Sequence, residues 1–148
     1  MRIVLQKVKK AYVEVDNQTI AEIAEGVVLL LAIGKGDSER DAEYLVDKIL
    51  KLRIFSDEGS ESFMEKNIVD YGGSVLVVSQ FTLYGDCTKG TRPSFTDSAS
   101  AEDAKKMYAY FVRKMKESGL RVEVGEFQAH MEVELVNDGP VTLILESK

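Results

Sequence analysis

The chain of 148 residues carries a formal net charge of −6, with 45% apolar and 30% charged residues. That length suits one domain, residues 1–148, with a core of its own, and leaves no room for a cofactor domain beside a substrate domain. The acidic balance argues against broad phosphate neutralisation along DNA or long RNA, and no run approaches the roughly 20 apolar residues of a membrane span. No secretory signal is expected either. The opening "MRIVLQKVKKAYVEV" lacks a long apolar stretch with a small-residue cleavage site, and the single Cys87 forms no internal disulfide. The expectation is therefore a cytoplasmic protein, in which "NQT" at Asn17 is irrelevant as a glycosylation acceptor.

In chain order, "RIVLQKV" and "AYVEV" alternate as strands, and "GVVLLLAI" is a continuous apolar run suited to a strand buried on both faces. From Ser38 the period becomes helical through Ala42, Leu45, Val46, Ile49 and Leu50, with Ser38 and Asp41 as a capping pair. "SVLVVSQFTLYGD" reads as another buried strand. A second helix is expected from Ala101 to Ser118, presenting Ala104, Met107, Tyr108, Phe111, Val112 and Met115 on one face and ending at Gly119. "LRVEV", "MEVELV" and "VTLIL" complete a run of strands. The order predicts an α+β fold: a curved, barrel-like mixed or antiparallel sheet with two main helices against it.

With one histidine and one cysteine, most catalytic constellations fail by counting. Strand alternation sets Met131, Val133 and Leu135 on one face and leaves His130 with Glu132 and Glu134 on the other, so His130 is expected in solvent rather than as a catalytic base. Cys87 lacks the partners for a structural zinc set, and "AIGKGD" around Lys35 lacks the spacing of a phosphate-binding loop. No metal and no cofactor are expected.

Two stretches resist a purely structural reading. "VVSQFTL" turns abruptly polar at Ser79, Gln80 and Thr82 around Phe81; these groups either satisfy nearby backbone or form the floor of a site without a titrating side chain. "NDGPVTLIL" starts a strand on Gly139-Pro140, where proline donates no ladder hydrogen bond; a tight turn is the simple account. A few local cations, Lys89 with Arg92 or Lys7 with Lys9 and Lys10, would suffice to hold an RNA end despite the net charge.

Together "SQFTL" (79–83) and "NDGPVT" (137–142) resemble the paired signature of the D-aminoacyl-tRNA deacylases, and "LRIFSDEG", "KGTRPSFTDSA" and the order of elements extend the likeness over nearly the whole chain. One departure is Lys7, where the family often carries arginine; the charge is kept and the planar guanidinium fork is lost. The resemblance implies hydrolysis of the ester joining a D-amino acid to the 3′ end of tRNA, as chiral proofreading. It also implies a homodimer in which a cis Gly139-Pro140 segment of one subunit enters the other's active site and rejects L-amino acids, while glycyl-tRNA passes. Ser79, Gln80 and Thr82 are the expected catalytic residues, with Phe81, Gly139 and Pro140 binding substrate. Thr82 as nucleophile and the RNA's own 2′-hydroxyl as assistant to a water both remain open. So do three other readings: a non-catalytic module that binds RNA ends or D-amino acids, a dimeric scaffold with Gly-Pro as a plain turn, and a related enzyme of reversed chirality.

Overall fold

The computed structural model describes residues 1–56 and 64–147. The end of "LRIFSDEG", from residue 57, lies outside the described residues. The elements are β1 (Arg2–Val15), β2 (Gln18–Ile23), β3 (Gly26–Ala32), α1 (Glu39–Lys51), α2 (Ile68–Tyr71), β4 (Ser74–Ser79), a 3₁₀ turn (Phe81–Tyr84), α3 (Ala101–Lys116), β5 (Val122–Val124) and β6 (Glu132–Glu146). The sheet runs β2-β1-β3-β4-β5, with β6 on the other side of β1. β3, β4 and β5 pair in parallel, and the other pairings are antiparallel. This is the expected α+β architecture with a curled mixed sheet.

The two faces of the central strands bury different cores. Val27, Leu29, Leu31, Val75 and Val77 pack with Ala42, Leu45 and Ile49 of α1 and Phe111, Val112 and Met115 of α3. The alternate residues Val28, Leu76 and Val78 meet Val8, Ala11, Val13, Ala21 and Ile23 in a second core inside the curl. Burial on both faces explains why β3 and β4 read as unbroken apolar runs. In the helices the anticipated faces are the buried ones, and Asp41 of α1 accepts from the Ser38 N–H at 2.8 Å and from Ser38 Oγ at 2.7 Å. These bonds serve a helix start whose first amides have no partner within the helix.

Three elements differ from the sequence expectation. "RIVLQKV" and "AYVEV" form one 14-residue strand, because β6 continues the pairing past Lys9 and Lys10. "MEVELV" and "VTLIL" likewise join as the 15-residue β6. The third is "SVLVVSQFTLYGD", whose strand ends at Ser79 and tightens into the 3₁₀ turn. The turn is held by the Leu83 N–H on Gln80 O (3.2 Å) and by Arg2, whose guanidinium donates to Leu83 O (2.7 Å) and lies 4.9 Å from the Tyr84 ring centroid.

Candidate active site at the polar end of β4

Where β4 ends, the chain stops alternating and starts to turn, so Ser79, Gln80 and Phe81 all border one cavity of about 570 Å³. The floor also includes Leu31, Ile33 and Val78; Ala99, Ala104 and Tyr108 close one side, and the segment Phe127–Met131 closes the other. Tyr108 is buried and donates to Val77 O at 2.8 Å; burial pushes its phenol well above the ordinary range, so it stays protonated. The Gln80 backbone N–H is used on Leu31 O (2.8 Å), while the Gln80 side-chain amide donates to Thr82 Oγ1 at 2.5 Å. Ser79 Oγ borders the cavity with no hydrogen-bond partner among the described residues. Among the described residues none of the three side chains bonds to nearby backbone, and Gln80 and Thr82 bond to each other.

The 3₁₀ turn adds a feature that residue type does not reveal. The first amides of such a turn, those of Phe81 and Thr82, have no acceptor within it; Phe81 lines the cavity and Thr82 does not. Phe81 is 57% exposed at the cavity edge and meets Phe95 edge-on with ring centroids 5.0 Å apart. His130 is exposed, as expected, but it precedes β6 rather than alternating on it, and it borders the cavity. Phe127, Gln128 and Ala129 were not singled out by sequence reading. Their one signal is position: an irregular segment between β5 and β6 has to cross the open end of the sheet.

The second motif does not line this cavity. Gln6 pairs with Thr142 and Val8 with Asn137, so two steps along β1 face five along β6, and the three excess residues bow the Gly139-Pro140 segment outward. Its peptide bond is cis, and both residues are exposed. Gly139 has φ +122°, a conformation that side chains avoid, and a Cβ there would come within 2.9 Å of Val141 Cγ2. The bow is pinned from within: Val141 N–H donates to Asn137 Oδ1 (3.0 Å), Asn137 Nδ2 donates to Thr142 Oγ1 (2.9 Å), and Lys7 pairs with Asp138 at 3.0 Å. The bow also lies where β1 and β6 cross between cores. Leu5 and Val141 belong to the helix-side core, whereas Val8 lies in the inner core with Leu135 packed against it.

Among the described residues there is no cluster of three or more His, Cys, Asp or Glu arranged to hold a metal ion, and no helix long and apolar enough to cross a membrane. Known proteins resemble this chain over its whole length. A family model described as D-Tyr-tRNA(Tyr) deacylase matches residues 4–146. A D-aminoacyl-tRNA deacylase of Thermosipho melanesiensis is 56% identical over 149 residues, spanning 100% of this chain and 98% of that one. The Clostridium tetani protein of the same description is 54% identical over 148 residues, with the same two coverages. Among solved structures, a c-Myc DNA unwinding element binding protein superposes with a TM-score of 0.93 at 37% identity, covering 100% of this chain and 99% of its own. A probable eukaryotic D-amino acid tRNA deacylase shares the fold, with a TM-score of 0.84 at 16% identity and 98% of each chain covered. With the likeness running from end to end, the chain belongs to the D-Tyr-tRNA(Tyr) deacylase family, enzymes that hydrolyse D-aminoacyl-tRNA.

Proposed function

We propose that this deacylase works as a homodimer whose sites are each built by two subunits: Ser79, Gln80, Phe81 and Thr82 from one, and Gly139-Pro140 from the other. One observation carries the reading. The Gly139-Pro140 bow is braced by three side-chain contacts but is exposed and stands apart from the cavity of its own chain. Such preorganisation without an internal partner suits a part that acts on a second copy. Val136 and Ile144, on the same strand to either side of the bow, are 43% and 71% exposed and offer apolar surface for that copy to cover.

In this arrangement, main-chain carbonyls of the bow accept hydrogen bonds from the substrate's α-ammonium group. The wall then stands against the Cα hydrogen of a D-amino acid and against the side chain of an L-amino acid. Discrimination is a steric rejection, leaving the D side chain free to vary. Glycine has no side chain to reject, so glycyl-tRNA is also a substrate. The ester is already activated; orientation by Gln80 and Ser79 and oxyanion stabilisation by the Phe81 and Thr82 amides lower the barrier, one such donor being worth about 2.7–4 kcal/mol. The terminal 2′-hydroxyl of the RNA assists the attacking water, which removes the need for a protein base.

Deacylation of matched D-tyrosyl-, L-tyrosyl- and glycyl-tRNA by the metal-free protein tests the filter: loss of the D and glycyl esters alone is expected, and inert glycyl ester would sink the steric account. The shared site is tested by mixing a Gln80→Ala chain with a Pro140→Ala chain. Half of a random mixture is hybrid, and each hybrid has one site of two intact, so about a quarter of wild-type activity returns. A mixture as inactive as its components would place the whole site within one chain.

A further inference from the structure

We propose that the loop from Asp86 to Ser94 is a clamp for backbone phosphates of the single-stranded tRNA 3′ end, with Lys89 and Arg92 as its cations. The inference rests on the deacylase reading of the neighbouring cavity. With a net charge of −6 the chain as a whole repels RNA, so attraction has to come from cations that are both local and unspent. Of the cations beside the Gly-Pro bow, the innermost is spent, while Lys9 and Lys10 are exposed but do not line the cavity. Lys7 is paired with Asp138 at 3.0 Å and Lys9 lies 4.0 Å from the same carboxylate. Lys89 and Arg92 are exposed, and neither has an acidic partner among the described residues. The acid at the neck of the loop, Asp86, turns its carboxylate to the Thr88 N–H at 2.9 Å.

The loop is rooted at the cavity rather than merely near it. Its neck is closed by two backbone hydrogen bonds, Asp86 N–H to Ser94 O (2.8 Å) and Ser94 N–H to Asp86 O (2.9 Å). Directly after the neck, Phe95 packs on Phe81, and Ser98 ties the two together, its N–H on Phe95 O (3.1 Å) and its hydroxyl on Phe81 O (3.3 Å). Phe81 and Ser98 both line the cavity. Arg92 is three residues from Phe95, so its Cα stays within about 11 Å of that anchor, and Lys89 stands farther out along the same loop. An ester held at Phe81 therefore sends the nucleotides preceding it past two positive charges in succession. Phosphate contacts of this kind position the strand without reading its sequence.

The test uses a Lys89→Gln/Arg92→Gln double variant and two substrates, D-tyrosyl-tRNA and the D-tyrosyl ester of adenosine, which carries no phosphate. The variant is expected to raise KM for the tRNA about tenfold at moderate salt and to flatten the logarithmic salt dependence by about 1.4, the value for two contacts on a single strand. Its kcat/KM for the adenosine ester stays at the wild-type value. Unchanged KM and salt slope for the tRNA would overturn the clamp, and so would an equal loss on both substrates, which would make the loop a structural support of the cavity. Failure of the wild-type protein on both D esters would instead overturn the deacylase reading beneath it.

Discussion

Lys7 Nζ lies 3.0 Å from Asp138 Oδ2, joining the irregular middle of β1 to the residue before Gly139. The lysine side chain is only 12% exposed, and its ammonium also stands 5.3 Å from the centroid of the buried Phe55 ring. Lys7 thus braces the bow as a point charge, without the bidentate fork an arginine would offer. Lys7→Ala should cost about 1–2 kcal/mol, between the values for exposed and buried pairs, and Lys7→Arg much less. Urea unfolding of Lys7→Ala, Asp138→Asn and the double variant checks this. Strictly additive losses would mean that the two charges do not support one another.

Asn137 is the inner staple of the same bow, accepting from Val141 N–H at 3.0 Å and donating to Thr142 Oγ1 at 2.9 Å. Asn137→Ala removes both bonds and should destabilise the chain by about 1–2 kcal/mol. Its larger effect should fall on selectivity, since a loosened wall no longer excludes the L side chain. The ratio of D- to L-tyrosyl-tRNA turnover should drop about tenfold or more, as a 1.4 kcal/mol loss of discrimination would give. A variant with unchanged ratio and lowered stability would confine Asn137 to a purely structural part.

How far these relationships are legible in residue order depends on their range. α1 and α3 announce themselves because cap, period and buried face are all local: Ser38, Asp41 and Leu45 stand close in the chain. The polar end of β4 stands out for the same reason, as a break in an apolar run. The union of the first two strand segments is not local; it needs β6, more than a hundred residues away, to continue the ladder past Lys9 and Lys10. The 3₁₀ turn at Phe81–Tyr84 is likewise held by Arg2, from the start of the chain. His130 is exposed as expected, but it lies in the irregular segment before β6 rather than on an alternating strand, and residue order says nothing of the cavity it borders, which is closed by α3 and by that segment. The separation of Gly139-Pro140 from Ser79 and Phe81 within one chain is a fact of tertiary structure alone.

The start of α1 gives a prediction with a sign in pH. Hydrogen bonds from Ser38 hold the Asp41 carboxyl below its ordinary value of 3.8. A carboxylate with a depressed folded-state pKa contributes its full stability above the unfolded value and loses it as pH falls through the folded one. Asp41→Asn should therefore cost about 1 kcal/mol near neutrality, a usual figure for a helix cap. The gap to wild type should close in acid. Urea midpoints of both proteins from about pH 7 to about pH 2.5 check it, and a gap that persists at the acid end would show that charge is not what Asp41 supplies.

Thr82 decides between the two chemistries. Its hydroxyl accepts a hydrogen bond from the Gln80 side-chain amide at 2.5 Å, a donor that cannot take a proton from it. A threonine nucleophile needs a base within hydrogen-bond reach, and the amide occupies that place. Thr82→Ala should therefore keep kcat within about tenfold of wild type, where loss of a true nucleophile costs about a millionfold. Conversely, D-tyrosyl-tRNA esterified at the 3′ position of a terminal 2′-deoxyadenosine should be cleaved about a hundredfold or more slower, the contribution usual for a group that assists proton transfer. Rapid cleavage of the deoxy substrate, or a D-tyrosyl ester trapped on Thr82 and detected by intact-mass measurement, would return the chemistry to the protein side chain.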